Sequence, residues 1–215
     1  MKQHFLKRTL CYDGSQLRSH WIFEQTDEAG DAILSFIGPA DVPTTNMVDL
    51  IDVRNNAPIA SRSMLHFLIE HFETDLEKTI LRQRLLVASA LELLCTHISV
   101  MRLSALVSRA PAKNLAGADE AHHSGADISW LQLKRIGNDL YDGDRKLSVC
   151  IAAPSTVSCC IHFGINIDSE GTPVPTRGLA DYHIDPQPFA DELMKRYVEE
   201  EASLKIARCK VRAIE

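Results

Sequence analysis

Two charged residues, Asp139 and Lys146, lie on either side of a predicted tight turn and are the strongest candidates for chemistry in this sequence. The turn, Asp142-Gly143-Asp144, has the aspartate and glycine that a hairpin needs, so the two side chains are predicted on neighbouring strands. A lysine there, followed by Leu147, would have a partly buried stem and an ammonium group suited to a carboxylate or a phosphate. The alternative is that Lys146 is a solvated strand residue and Asp139 a turn former.

A histidine and a glutamate are candidates on a second predicted strand. The apolar segment from Met64 to Phe72 fits a central strand, and the two-residue period places His66 and Glu70 on one face. Histidine can transfer protons near neutral pH, so His66 joins Asp139 and Lys146 as a predicted catalytic residue. A structural pair with satisfied hydrogen bonds is the equal alternative.

The turn after the first predicted strand could meet an anion. Asp13 or Ser15 can cap a short helix that is predicted to begin at Leu17, which leaves backbone N–H groups free. Arg18 and His20 lie on the opening turns of this helix and are candidates to reach the same cleft. The alternative is a solvated helix face.

The elements that must position these residues have local signals of their own. Strands are predicted from Phe5 to Cys11 and from Ala32 to Ile37. The capping box formed by Thr74 and Glu77 begins a helix that is predicted to end near His97. Asp185 and Pro186 begin the last helix, and a flexible insertion is predicted at 108–129.

Composition limits the classes of function. A chain of 215 residues is predicted to be one domain, 1–215, and its net charge of −6 argues against nucleic acid as the main partner. No apolar segment approaches about 18 residues, so we expect no membrane span, no targeting segment and a cytoplasmic protein. The six cysteines are expected to be reduced thiols. Cys160 and His162 would converge on one strand face, but two ligands do not make a zinc site, so no metal is predicted.

The hairpin resembles a motif of the biotin and lipoate protein ligases, in which Asn-Asp-Leu precedes Arg-Lys-Leu at the spacing found here between Asn138 and Lys146. The segment 161–167, with Gly164-Ile165-Asn166, is similar to a later ligase strand. The resemblance implies that Lys146 contacts the carboxylate of the ligand and the phosphate of its acyl-adenylate. It also makes candidate ligand-binding residues of Ser15, Gln16, Arg18, His20, Asn138, Arg145 and Asn166.

The sequence departs from the ligases where they hold the nucleotide. The ligases carry a Gly-Arg-Gly-Arg loop after the second strand, whereas this chain has the segment from Gly38 to Pro58 without such a loop. ATP is therefore an open cofactor, since the usual nucleotide-binding loop is absent.

Four further segments, at 12–21, 46–50, 76–85 and 207–212, are similar to a prokaryotic family known only as a domain of unknown function, three-six-six. The two resemblances imply an α/β (α+β) domain with a mixed, largely antiparallel sheet backed by helices, as in biotin and lipoyl ligases and class II synthetases. Three functions stay open. The chain binds a small carboxylated, heterocyclic metabolite and activates or transfers it; it acts without ATP on a biotin-like or deazapurine-like carboxylate, as a decarboxylase or isomerase; or it is a non-catalytic binding or interaction module. A homodimer is also left open.

Overall fold

The computed structural model describes residues 1–109 and 132–214, which form a five-stranded sheet, a small three-stranded sheet and four α-helices. In chain order the elements are β1 (Lys2–Leu6), α1 (Trp21–Thr26), β2 (Ala32–Val42), α2 (Leu50–Asn55), β3 (Ile59–His71), α3 (Leu76–Arg109), β4 (Leu133–Ile136), β5 (Asp139–Asp142), β6 (Arg145–Lys146), β7 (Ser148–Pro154), β8 (Cys159–Asn166) and α4 (Pro186–Cys209). Short 3-10 turns span Thr44–Asn46 and Leu179–Tyr182.

The larger sheet is mixed and largely antiparallel. Its strand order is β1-β2-β3-β8-β7, in which β1 and β2 are parallel and every other neighbouring pair is antiparallel. The smaller sheet, β4-β5-β6, is antiparallel throughout. This architecture confirms the predicted α/β class with a mixed sheet and helices.

The two faces of the sheet pack against different helices, and the two-residue period of β3 assigns each side chain to a face. Leu65, Phe67 and Ile69 belong to the main core, which includes residues of α3 and α4. Leu68 packs on the opposite face in a second cluster with Trp21 of α1. That second face is covered only in part by α1, and the rest of it borders the cleft described below.

The long helix α3 forms as predicted but differs at both ends. Asp75, rather than Thr74, caps its first turn, with its carboxylate accepting a hydrogen bond from the Lys78 N–H at 2.9 Å. The helix runs on past His97 to Arg109. Leu76–Met101 is long and apolar enough to cross a membrane, contrary to the expectation that no apolar segment has that length. It is nevertheless a core helix, because its inner face, from Leu86 to Leu94, is buried against the sheet.

The N-terminal elements were predicted in the wrong places. The first strand lies at Lys2–Leu6, because its parallel pairing with β2 aligns Lys2 with Ala32. The first helix begins at Trp21 rather than Leu17, since His20 adopts the left-handed conformation at φ 65° and breaks the helical path before it. Long-range pairing and a left-handed residue leave little local signal in a sequence.

An ion-pair network joins α3 to α4. The guanidinium of Arg82 contacts Glu201 of α4 at 2.7 Å and also Glu73, which precedes α3. The Glu201 side chain is only 3% exposed, so its charge depends on Arg82 for compensation. The start of α4 follows the prediction, with the Asp185 carboxylate accepting from the Gln187 N–H.

Residues 110–131 and Glu215 lie outside the described part of the chain. The predicted flexible insertion at 108–129 falls almost entirely there, except that Ser108 and Arg109 belong to α3. The insertion and the single-domain organisation of 1–215 therefore stay predictions.

Candidate functional site

A cleft of about 290 Å³ opens on the face of the sheet that α1 leaves partly uncovered. Its floor comes from β3, β8 and β7, one wall from residues 42–61, and the other from the β5–β6 hairpin with residues 172–176. Six polar or aromatic side chains that matter for chemistry line it: Tyr12, Asn138, Asp139, Lys146, His162 and Asn166.

Lys146 is fixed in the cleft by its own backbone. Its N–H donates to the Pro175 carbonyl at 2.9 Å, and its carbonyl accepts from the Arg177 N–H at 3.1 Å. The residue therefore sits between β5 on one side and the 175–177 segment on the other. Its ammonium group reaches Asp139 at 2.8 Å, and its side chain is 30% exposed.

Asp139 and Lys146 form a partly buried ion pair. Burial lowers the pKa of Lys146, but the nearby charge and hydrogen bond of Asp139 outweigh this and leave the lysine pKa above its ordinary value. Burial likewise raises the pKa of the Asp139 carboxyl, although Lys146 counteracts part of the rise. The Oδ1 atom of Asp139 is enclosed and has no hydrogen-bond partner among the described residues. Lys146 is thus a cation held beside a carboxylate that has one free acceptor atom.

His66 lies behind the cleft rather than in it, although it was predicted as a catalytic residue. Its side chain is fully buried, its Nε2 contacts the Gly38 carbonyl at 3.2 Å, and its Nδ1 contacts His162 Nε2 at 3.1 Å. Phe36 stacks on the ring at 4.8 Å between centroids. Its partner His162 lines the cleft instead.

Glu70, which shares a strand face with His66, also has a structural role. The Glu70 carboxylate accepts hydrogen bonds from the His20 N–H at 2.9 Å and from the Ser158 hydroxyl at 2.7 Å. It is 2% exposed. The predicted pairing of His66 and Glu70 on one strand face holds, but both side chains are occupied by the protein itself.

The predicted anion-binding turn does not contribute to the cleft lining. Ser15 bonds to Asp13 through both its N–H and its hydroxyl, and the Gln16 amide donates to the Cys11 carbonyl at 3.0 Å. Arg18 forms an exposed ion pair with Glu24. The ring of His20 packs near Phe72, at 5.4 Å between centroids. The reason is that α1 starts four residues later than predicted, so Asp13 closes a local turn instead of capping a helix.

The three other predicted ligand-binding residues are placed differently from one another. Asn138 lines the cleft, while its side-chain oxygen accepts from Arg84 of α3 at 3.2 Å. Asn166, at the end of β8, lines the cleft and is 6% exposed. Arg145 is exposed and lies outside the lining residues. Lys146, Asp139, Asn138 and Asn166 are therefore brought together, and Arg145 is not.

Tyr12 and His162 line the cleft, although neither was predicted from the sequence as a ligand-binding residue. Their rings stack at 3.6 Å between centroids and 10° between planes. Burial raises the pKa of Tyr12, which keeps its hydroxyl protonated. The two-residue period already placed His162 on one face of its strand, but it could not show that Tyr12 folds over that face.

One glycine of the cleft floor packs closely against three cleft residues. A Cβ placed on Gly164 of β8 would lie 2.8 Å from Met64 Cε, 3.3 Å from His162 Cε1 and 3.4 Å from Val149 Cγ2. All three neighbours line the cleft. A side chain at this position would therefore require the end of the Met64 side chain to move.

The charges around the cleft do not suit a polyphosphate. Asp49, Asp52 and Asp139 line it, against Lys146 as the basic side chain among the described lining residues. Sites for nucleotide triphosphates use basic side chains, converging backbone N–H groups and a metal ion. Within residues 1–109 and 132–214, no group of three or more metal-ligating side chains is placed to hold a metal. With one basic side chain against three carboxylates, the described lining lacks the positive charge that a triphosphate needs.

The chain is similar to one protein family over nearly its whole length and to two individual proteins. The model of a family described as a domain of unknown function, DUF366, matches residues 1–104 and 125–212. An uncharacterized protein of Methanocaldococcus jannaschii is 37% identical over 186 residues, covering 84% of this chain and 70% of the relative. The solved structure of a protein of unknown function from Pyrococcus horikoshi has a TM-score of 0.80 and 30% identity, covering 100% of this chain and 99% of the other.

A more distant likeness concerns the fold alone. A biotin protein ligase mutant from Aquifex aeolicus, solved in complex with biotin, has a TM-score of 0.51 and 16% identity, covering 95% of this chain and 72% of the ligase. The described residues thus adopt a ligase-like fold. With a family model that spans nearly its whole length, the chain belongs to the DUF366 family.

Proposed function

We propose that the cleft binds a small carboxylic acid and that the ammonium group of Lys146 holds its carboxylate. The observation that carries this proposal is the position of Lys146, a partly exposed cation whose backbone is fixed on both sides. An ammonium group has three N–H donors, and Asp139 takes one of them. Among the described residues the other two donors have no partner, so they are available to a ligand that enters the cleft.

The charge of the ligand follows from its neighbours. The raised pKa of Lys146 keeps the lysine charged at neutral pH, and its attraction for an anion is stronger in a partly buried site than in water. Asp49 is already engaged in capping α2, whereas Asp52 and Asp139 add negative charge near the lysine. These carboxylates favour a monoanion over a ligand with several negative charges.

The size and surface of the cleft support a compact, largely apolar ligand. A volume of about 290 Å³ lies near the lower end of the range for small-molecule sites. Val42, Met47, Met64, Val149 and Ile151 supply apolar surface around the polar groups. A carboxylate attached to one or two rings matches both properties.

The carboxylates of the cleft lining favour a reaction of the bound carboxylic acid that does not need ATP over the activation of that ligand as an acyl-adenylate. Asp139 is the group best placed for proton transfer, because burial already raises its pKa. A ligand carboxylate would draw the Lys146 ammonium away from Asp139. The ionised form of Asp139 would then be stabilised less, and the pKa of Asp139 would rise further. Binding would then promote protonation of Asp139 beside the ligand.

The test compares Lys146 with Arg145, its neighbour on the short strand β6. Thermal unfolding is measured with a panel of monocarboxylates, which includes biotin, lipoate and aromatic ring carboxylates, for the wild type, Lys146→Met and Arg145→Met. A ligand at about 100 times its Kd stabilises the native state by about 2.7 kcal/mol. We expect such a shift in the wild type and in Arg145→Met, which removes the same charge outside the cleft, and its loss in Lys146→Met.

The same measurement separates the alternatives. Binding that survives in Lys146→Met, or an absence of any shift across the panel, would contradict the proposal. A shift caused by ATP with magnesium ions, in the absence of an acid, would favour acyl-adenylate formation over the ATP-independent function.

A further inference from the structure

The buried histidine pair behind the cleft determines which nitrogen of His162 carries a proton. His66 Nε2 lies 3.2 Å from the carbonyl oxygen of Gly38, which can only accept a hydrogen bond. In a neutral ring, Nε2 of His66 is therefore the protonated nitrogen and Nδ1 is an acceptor. The contact of 3.1 Å between His66 Nδ1 and His162 Nε2 then requires the proton on His162 Nε2. The neutral His162 ring is left with an unprotonated Nδ1.

The neutrality of both rings has a physical cause in their burial. Burial lowers the pKa of His66 to about 4. Burial, together with the neighbouring His66, lowers the pKa of His162 well below its ordinary value. At neutral pH neither ring carries a second proton, so the order of donors and acceptors along the pair is fixed.

His162 lines the cleft, and its free nitrogen is on the opposite side of Cε1 from the nitrogen that contacts His66. Nε2 is directed to His66 on β3, and Cε1 lies over Gly164, further along β8. The remaining nitrogen, Nδ1, therefore lies on the side of β7, whose Val149 and Ile151 line the cleft. No hydrogen-bond partner for Nδ1 occurs among the described residues. Tyr12 covers one face of the ring, so a ligand reaches it from the edge.

We propose that His162 Nδ1 accepts a hydrogen bond from a ring N–H group of the bound acid, so that the cleft selects carboxylated heterocycles with an N–H donor. This inference rests on the proposed function, because it assigns the second end of a ligand whose carboxylate Lys146 holds. His66 acts as a positioning residue, since it fixes the tautomer of His162 without facing the ligand.

The binding test compares matched ligands. Pyrrole-2-carboxylate and indole-3-carboxylate are titrated against their N-methyl counterparts, which keep the carboxylate and the ring but lack the donor. A buried acceptor left unpaired costs binding free energy, so the wild type should prefer the N–H ligand by about five-fold to 150-fold. His162→Phe keeps an aromatic ring under Tyr12 but removes the acceptor, and we expect it to bind both ligands equally.

A second measurement tests the histidine pair without any ligand. Long-range proton–nitrogen NMR correlations distinguish the two neutral tautomers of histidine, and both His66 and His162 should carry the proton on Nε2. His66→Gln is included because its amide can still donate to the Gly38 carbonyl and accept from His162.

The outcomes separate this inference from the proposed function. If acids bind through Lys146 but the N–H and N-methyl ligands bind alike, or if His162→Phe keeps the preference, only the inference about His162 is wrong. If His162 carries its proton on Nδ1, the inference is also overturned. If no acid binds the wild type, the proposed function is wrong and the inference falls with it.

Discussion

Lowering the pH should destabilise the protein through the buried pair His66 and His162, because neither ring can be protonated without placing a positive charge in the core. Burial lowers the pKa of His66 from 6.5 to about 4. In the unfolded chain the ring returns to its ordinary value, so the unfolded state binds more protons than the native state between these two pH values. The contribution of His66 to the free energy of unfolding is therefore fully present above pH 6.5 and is lost as the pH drops toward 4.

The magnitude follows from the width of that pH window. Each pH unit between 6.5 and about 4 removes about 1.4 kcal/mol for one histidine, so His66 alone accounts for about 3 kcal/mol. This is a large share of the roughly 5–15 kcal/mol by which domains are stable. Asp31 does not interfere, because the neighbouring His71 side chain, 3.8 Å away, and a hydrogen bond from the Phe72 N–H lower the pKa of Asp31 below its ordinary value of 3.8.

The assay is urea unfolding followed by circular dichroism at a series of pH values from 7 to about 4.5, within this window. His66→Gln cannot titrate, so its free energy of unfolding should depend less steeply on pH, by about 1.4 kcal/mol for each pH unit. His183→Asn is the control, because His183 is exposed and its left-handed backbone suits asparagine. Equal slopes in the wild type and His66→Gln, or a wild type that is insensitive to pH here, would refute the reasoning.

Two other substitutions test the packing. Gly38→Ala should destabilise the protein by about 3 kcal/mol or more, because a Cβ there would lie 1.7 Å from the Leu10 carbonyl oxygen, and the loss is measured by urea unfolding at pH 7. Arg82→Met should cost about 3–5 kcal/mol, since it leaves the buried Glu201 carboxylate without its partner. The double variant with Glu201→Met should recover most of that loss, and a double variant as unstable as the single one would contradict the ion-pair explanation.

Local signals predicted those parts of the fold whose structure is decided locally. The Asp142-Gly143-Asp144 turn forms the hairpin as expected, with Gly143 at φ 62°. The strand register pairs Lys146 with Tyr141, so Asp139 is its diagonal neighbour on the same face. Long side chains can span that diagonal, so the ion pair follows from the hairpin, of which only the neighbouring strands were predicted.

The rest depended on contacts between distant parts of the chain. His66 and His162 are 96 residues apart and meet only because β3 and β8 pair so that His66 lies opposite Gly164. No local pattern encodes that register. The placement of β1 and α1 likewise depended on pairing with β2 and on the left-handed His20, which local propensities do not report.

Gly164 links the shape of the cleft to the backbone of a central strand. The atoms nearest to its missing side chain belong to three cleft residues, so an added carbon atom would be felt in the cleft lining. An alanine here would have to move the flexible end of the Met64 side chain and would crowd the ring of His162. The residue at this position therefore ties the packing of a central strand to the packing of the cleft lining.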